Sequence, residues 1–256
     1  MANYGIFIVG TAGSGKSLLT ASLAEWLSKK GENVIALNLD PGVIHLPYNP
    51  DVDVRDYISI DELMENYRLG PNGALLLASD LIVDRITELN REIEEFNPTY
   101  VLVDTPGQME LFAFRVSGPL IAKELAIEQK MVLYLFDAPF CANPFNYVSN
   151  IFLSAAVFLR FMLPQLNVLN KADLVPEKTV KEILEWSSTP NALKSVFDRY
   201  PRGGDMYVLT RDLFNALTRL RLDFSLIACS AKNYGNFVNL HASILRVLSR
   251  GEGETT

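Results

Sequence analysis

The 256-residue sequence holds only two cysteines, two histidines and two tryptophans, and the first two scarcities each remove a class of explanation. Cys141 and Cys229 lie far apart with no ligand-spaced companions, which excludes a disulfide scaffold or a zinc ribbon and fits reduced thiols in a reducing compartment. His45 and His241 have no partner pattern and read as structural or surface residues. Positive charge is also short. A formal net charge of −7 argues against a broad electrostatic grip on nucleic acid, so no direct nucleic-acid partner is expected. No apolar run reaches the ~20 residues that a membrane span needs. The nearest, YVSNIFLSAAVFLRFML over 147–163, is short and contains Asn150 and Arg160. A helix buried in the domain, or lining an apolar groove, is the expected form, and no membrane association is expected. The opening MANYGIFIVG lacks a basic stretch and a cleavage site, so a signal peptide is not expected and a cytoplasmic setting is. Repeats and low-complexity segments are absent as well.

What is there is an alternation of continuous apolar runs with helical patterns. YGIFIVG (4–10), NVIALNLD (33–40), YVLVD (100–104), MVLYLFD (131–137), QLNVLN (165–170) and FSLIACS (224–230) read as buried strands. Between them, Leu19, Leu23, Trp26 and Leu27 share one helical face, and Ile82, Ile86, Leu89, Ile93 and Phe96 share another. Continuous apolar strands separated by helices imply an α/β fold whose mostly parallel, doubly wound sheet is flanked by helices. The expected organisation is a single domain over 1–250 with helical insertions, followed by a disordered tail at 251–256. Stretches 40–96 and 176–222 exceed what a minimal fold of this kind needs, and such length gathers around ligand sites.

The sequence GTAGSGKS (10–17) fits G-x-x-x-x-G-K-[ST] between an expected strand and an expected helix, which makes the fold a P-loop NTPase. Gly10, Gly13 and Gly15, with Thr11, Ala12 and Ser14 between them, let backbone N–H groups turn toward phosphate oxygens. The helix entered through Lys16, Ser17 and Leu18 adds the positive end of its dipole. Lys16 brings a full charge to the β- and γ-phosphates, and Ser17 offers a hydroxyl to Mg²⁺. Asp104 closes YVLVD and precedes TPGQ, as a metal-side carboxylate would; buried at a strand end, it needs a compensating cation. Gly107 allows a backbone N–H near the γ-phosphate, and Gln108 could orient an attacking water. Asp40, in NLDPG, is read either as an Asp-Pro turn or as a carboxylate near Mg²⁺ and the γ-phosphate that helps orient that water.

The tetrapeptide NKAD (170–173) names the base. A carboxylate at Asp173 can accept both the ring N–H and the exocyclic amine of guanine, which adenine does not present in that arrangement. Discrimination on the order of 10⁴ follows. The Lys171 stem can lie over the base, and Asn170 can tie this loop to the P-loop. CSAK (229–232) brings Ser230, Ala231 and Lys232 to a strand end, where the Ala231 N–H could meet guanine O6. GPNGA (70–74), taken alone, is ordinary turn chemistry, with Asn72 able to cap a helix beginning near Ala74.

The order P-loop, NLDP, GPN, DTPGQ, NKAD, SAK resembles the GPN-loop GTPases, over essentially the whole chain to about residue 250. The resemblance implies a GTP-hydrolysing switch or assembly factor that works as a homodimer, like the compact archaeal members. It implies that Gly70, Pro71 and Asn72 reach across the interface to the partner's nucleotide, placing the Asn72 amide at the γ-phosphate or released phosphate. The extra P-loop lysine of many MinD-like relatives is not offered, since Thr11 and Ala12 occupy that region, and no arginine stands out as a finger. Transition-state charge then falls to Lys16, Mg²⁺, backbone donors and the GPN amide. Two other readings compete. One is a GTP-gated module that binds a polypeptide client in an apolar groove near Phe145, Phe152, Phe158 and Phe161. The other is a P-loop kinase with a lid carrying Arg199, Arg202 and Arg211, an account in which NKAD and GPN have no role.

Overall fold

The computed structural model describes residues 2–197, 212 and 224–250. Its strands are β1 (Ala2–Gly10), β2 (Val34–Asn38), β3 (Val52–Asp53), β4 (Tyr100–Asp104), β5 (Ile127–Asp137), β6 (Gln165–Asn170) and β7 (Leu226–Ala228). They form one sheet in the order β3-β2-β4-β1-β5-β6-β7, and every pairing is parallel. The expected doubly wound α/β fold is therefore present. Alternation along each strand supplies two cores. Phe7, Val9, Val101, Val103, Val132 and Tyr134 face one side and Ile6, Ile8, Leu102, Leu133 and Leu135 the other, all of them buried.

Helices cover both faces, as a parallel sheet requires. On the second face lie α1 (Lys16–Lys29), through Leu19, Leu23 and Leu27, and the last described helix, Phe237–Arg250, through Leu240, Ile244 and Leu248. The first face is packed by α2 (Ile60–Tyr67), α3 (Pro71–Leu81), α4 (Ile86–Phe96), α5 (Ser117–Glu124), α6 (Ala138–Cys141), α7 (Pro144–Phe161), α8 (Glu177–Ser188) and α9 (Pro190–Phe197); Phe237–Arg250 is then α10. Gly31 closes α1 at φ +88°, in the left-handed region that glycine enters without strain.

Segment 147–163 falls on α7. Asn143 caps it by accepting from the Phe145 N–H, Pro144 occupies its first turn and Met162 ends it at φ +52°. Its two polar residues are satisfied within the fold: Asn150 Oδ1 accepts from the Tyr134 hydroxyl at 2.8 Å, and the Arg160 guanidinium donates to the Arg115 carbonyl at 2.8 Å. Phe161 is buried and Phe145, Phe152 and Phe158 are half-buried, so none is openly presented to solvent. No helix among the described residues is long and apolar enough to cross a membrane. Both cysteines are buried free thiols, and burial pushes each up to about 12. His45 is exposed, while His241 packs edge-on against Trp26 with its Nε2 3.2 Å from the Tyr100 hydroxyl.

The structure corrects several sequence expectations. The GPN segment is a helix start, not a turn: Gly70 is the N-cap at φ −73°, Pro71 holds the first position and Asn72 follows inside α3. Asn72 therefore does not cap, no positive φ is used, and the helix starts before Ala74 because proline's missing N–H costs nothing in a first turn. The 82–96 pattern divides into a 3₁₀ turn, Ile82–Arg85, and α4. Strand β5 starts at Ile127, earlier than 131, and β2 and β7 are shorter than expected. The two-residue β3 had no sequence signal. The expected insert is helical over α8 and α9. Its remainder, including YPRGGD and Arg199, Arg202 and Arg211, lies outside the described residues, as does the 251–256 tail.

Candidate functional site

Parallel strands point their C-terminal ends one way, and the motif residues gather at that edge. Register fixes the neighbours: Ile8 and Asn38 both stand beside Asp104, Gly10 beside Leu135, and Asp137 beside Asn170. The P-loop leaves β1 and enters α1 through Gly13 at φ +74° and Gly15 at φ +92°. A side chain at Gly15 would also sit 2.7 Å from Asn170 Nδ2, so both backbone and space demand glycine there.

Lys16 is 5% exposed and its ammonium folds back over the loop. It donates to the carbonyls of Gly10 at 2.9 Å, Thr11 at 3.1 Å and Gly107 at 2.9 Å, using all three protons. Burial lowers its pKa to about 8 against the raising influence of Asp104 and Asp40. Asp104 is 1% exposed. Its Oδ2 accepts from the Tyr48 hydroxyl at 3.0 Å, while Oδ1 is buried with no hydrogen-bond partner. Desolvation raises its pKa to about 6; Ser17, Tyr48 and Lys16 pull it down, although the Ser17 hydroxyl stays outside hydrogen-bond geometry. A buried carboxylate oxygen left without a partner, facing a serine hydroxyl and near Asp40, is a hard-oxygen set that fits Mg²⁺.

The Asp104 shift has a measurable consequence. The folded protein holds a proton there up to about pH 6 whereas the unfolded chain releases it near the ordinary aspartate value of 3.8, so this contribution to stability is present at low pH and lost as pH rises between them. The stability of the native sequence relative to Asp104→Asn is expected to fall by up to roughly 3 kcal/mol across that window. Urea midpoints of the nucleotide-free proteins at each end check it; a pH-independent difference would contradict the assignment.

Asp40 lies just beyond β2 and links the loop there to the loop after β4. Its Oδ2 accepts from the Gly107 N–H at 3.0 Å and its Oδ1 from the Gly42 N–H at 3.0 Å. In this structure Gly107 thus turns its N–H to Asp40 and its carbonyl to Lys16. Thr105 anchors the same segment through a bond to the Ile8 carbonyl at 2.7 Å. Asn72 and Gln108 are exposed, and among the described residues no hydrogen bond joins either to the P-loop. The helix bearing Asn72 is nonetheless tied to the loop after β4, since the Arg115 guanidinium pairs with Asp80 of α3, Nε donating at 2.9 Å.

The base-side residues do converge. A cavity of about 240 Å³ is lined by Gly15, Leu18, Asn170, Lys171, Asp173, Ala231 and Lys232, all expected from sequence, together with Leu174. Asn170 Nδ2 donates to the Ser14 carbonyl at 3.0 Å, the predicted tie between the two loops. Lys171 sits at φ +60° with its ammonium bonded to the Gly13 carbonyl and paired with Asp137 at 2.9 Å. The Ser230 hydroxyl donates to Asp173 Oδ1 at 2.6 Å and aligns the carboxylate. Asp173 itself is exposed to solvent. The Ala231 N–H is buried and directed at Asn170 Oδ1 at 3.4 Å, a long bond. Sequence reasoning missed Tyr48, Asp137 and Leu174. Asp137 closes an apolar strand as Asp104 does, which was the available signal; Tyr48 had none.

A protein-family model described as a conserved hypothetical ATP binding protein matches residues 8–248. Among curated proteins, the chain is similar to GPN-loop GTPase 3 of Saccharomyces cerevisiae, 33% identical over 196 residues that cover 75% of this chain and 72% of that protein. It is 31% identical to GPN-loop GTPase 3 of Eremothecium gossypii, with coverage of 75% and 72%. It is 33% identical to GPN-loop GTPase 1 of Saccharomyces cerevisiae, covering 74% of this chain but 50% of that longer protein. Among solved structures, a GTPase crystallised in apo form from Pyrococcus abyssi matches with a TM-score of 0.83 and 29% identity, covering 96% of this chain and 98% of that one.

Proposed function

Since the chain belongs to the GPN-loop GTPases, it is a GTP-binding GTPase, and we propose that it acts as a homodimeric, Mg²⁺-dependent switch or assembly factor in which each copy's Asn72 completes the other's active site. The observation that supports the nucleotide part of this reading is the shared edge where Lys16, Asp40, Asp104 and the Asn170–Asp173 cavity meet, and the shared-site part rests on the family resemblance. Guanine is favoured although the family description names ATP, because Asp173 stands in that cavity held by Ser230.

In this reading the loop N–H groups between Gly10 and Ser17 hold the β-phosphate, and Lys16 exchanges its carbonyl partners for β- and γ-phosphate oxygens. Ser17, Asp104 and Asp40 would hold Mg²⁺. When bound, the ion neutralises charge developing on the phosphate oxygens. Asp40 and Gln108 orient the attacking water, which requires Asp40 to release the Gly107 N–H so that this donor reaches the γ-phosphate. The partner's Asn72 amide adds donors without a full charge, and the absence of an arginine finger in this account makes unaided hydrolysis modest. Two buried free thiols suit a reducing, cytoplasmic setting.

Complementation tests the shared site. Asn72→Ala alone is expected to slow hydrolysis about tenfold with GTP binding nearly intact, and Lys16→Ala alone to be inactive. Random pairing of the two makes half the dimers mixed, each with one intact Lys16 facing one intact Asn72. The mixture should recover about a quarter of native turnover. Mixed dimers that form yet turn over no faster than the average of the separate variants would overturn action across the interface.

A further inference from the structure

A chain of polar contacts behind Asp40 has no part in nucleotide binding as described above. Asn38, the last residue of β2, is fully buried. Its amide brackets Asp40: Oδ1 accepts the Asp40 N–H at 3.0 Å and Nδ2 donates to the Asp40 carbonyl at 3.2 Å. The same Nδ2 donates to Asp53 Oδ1 at 2.9 Å. Asp53 ends β3 and is nearly buried. It also accepts the Arg55 N–H at 3.0 Å, the Arg55 Nε at 3.1 and 3.0 Å, and an Arg55 terminal nitrogen at 2.6 Å. The other terminal nitrogen donates to the Val43 carbonyl at 3.1 Å, so one guanidinium grips both the sheet edge and the loop after Asp40. The far end of the chain is Asp40 Oδ2 on the Gly107 N–H, and Gly107 on Lys16.

We infer that Asn38, Asp53 and Arg55 are positioning residues for hydrolysis, which fix the Asp40 carboxylate at the phosphate end of the sheet; the inference rests on the proposed role of Asp40. Three observations carry it. Asp40 has left the strand, so its backbone is no longer held by sheet pairing and both its N–H and its carbonyl depend on one side-chain amide. A buried amide is costly unless satisfied, and Asn38 uses its oxygen and both amide protons here, while the ion pair behind it covers Asp53 and leaves Arg55 part-exposed. The strand that supplies Asp53 pairs over only two positions, Leu37 with Val52 and Asn38 with Asp53, and while Val52 goes to the core the second pairing sets the Asp53 carboxylate beside the Asn38 amide. Gly42 seals the arrangement, since a Cβ there would lie 2.3 Å from Leu75 Cδ2 of α3, packing the Asp40 loop against the helix that carries Asn72. Loosening such a support displaces the carboxylate without emptying the nucleotide pocket.

The test is a double-mutant cycle on the full chain with saturating GTP and Mg²⁺. Arg55→Ala is expected to lower kcat about tenfold, with KM for GTP and the affinity for GDP changed by less than about twofold. In an Asp40→Ala background, already slower, the same change should have no further effect, because a support acts only through what it supports. Arg55→Lys should recover less than half of the loss, since a point charge cannot bridge Asp53 and Val43 together. Should Arg55→Ala fail to fold, Arg55→Gln keeps one amide donor toward Asp53 and is expected to show the same pattern with a drop of about threefold. Native kcat in the Arg55 variants, or an equal drop in both backgrounds, would overturn the inference while leaving the Asp40 assignment standing. Native kcat in Asp40→Ala would instead remove that assignment and the inference with it.

Discussion

Lys16→Ala is expected to lower GTP turnover by about 10³-fold while the protein stays folded. The lysine bridges the P-loop carbonyls of Gly10 and Thr11 to the carbonyl of Gly107. It is held where bound phosphates would draw it away, so its loss removes a full charge from the transition state. The structural cost is small by comparison. Burial already drives its pKa down to about 8, so the charged form is disfavoured in the fold, and losing it offsets part of what three abandoned carbonyls cost. Phosphate release at saturating GTP gives the first quantity and a thermal melt of the nucleotide-free protein the second. A variant within tenfold of native turnover would contradict the role.

Asp173→Ala is expected to weaken GDP binding by roughly 10²–10⁴-fold and to leave ADP binding, already weak, almost unchanged. The carboxylate can accept two charge-assisted hydrogen bonds from guanine, each contributing about 1.5–3 kcal/mol, and alanine accepts neither. Ser230 holds one carboxylate oxygen at 2.6 Å, so the group meets the base already oriented. Adenine lacks the donors and loses nothing. Titration of both nucleotides against both proteins checks the pattern, and a parallel loss for GDP and ADP would mean that the residue supports the loop rather than reads the base.

How far these features were legible in the sequence differs between the parts. Strands 100–104 and 165–170 were bounded correctly because each is flanked by strands on both sides and ends in a polar residue at the ligand edge, the first being apolar up to that residue and the second broken only by Gln165 and Asn167. The first residues of β5, Ile127 to Lys130, carry two charges and a glutamine and gave no apolar run, yet β1 pairs with them. Strand β3 is too short for any pattern. In GPN, glycine and asparagine suggested positive φ, but the proline at a first helical position was the stronger signal. Seven of the eight residues lining the cavity beside the P-loop were readable because they belong to short motifs, and Leu174, just past NKAD, was not. Tyr48 on Asp104 and the path from Arg55 to Asp40 were not, since they join loops separated in sequence and brought together only by strand order.

Whether Asp173 reads guanine in the cavity beside the P-loop is decided by the affinity of the unaltered protein for GDP, inosine diphosphate and ADP, each with Mg²⁺. Inosine keeps the ring N–H and lacks only the exocyclic amine, so it should bind about 10–100-fold more weakly than GDP. ADP, with neither donor in place, should bind at least about 10³-fold more weakly. Equal affinity for all three would contradict the account.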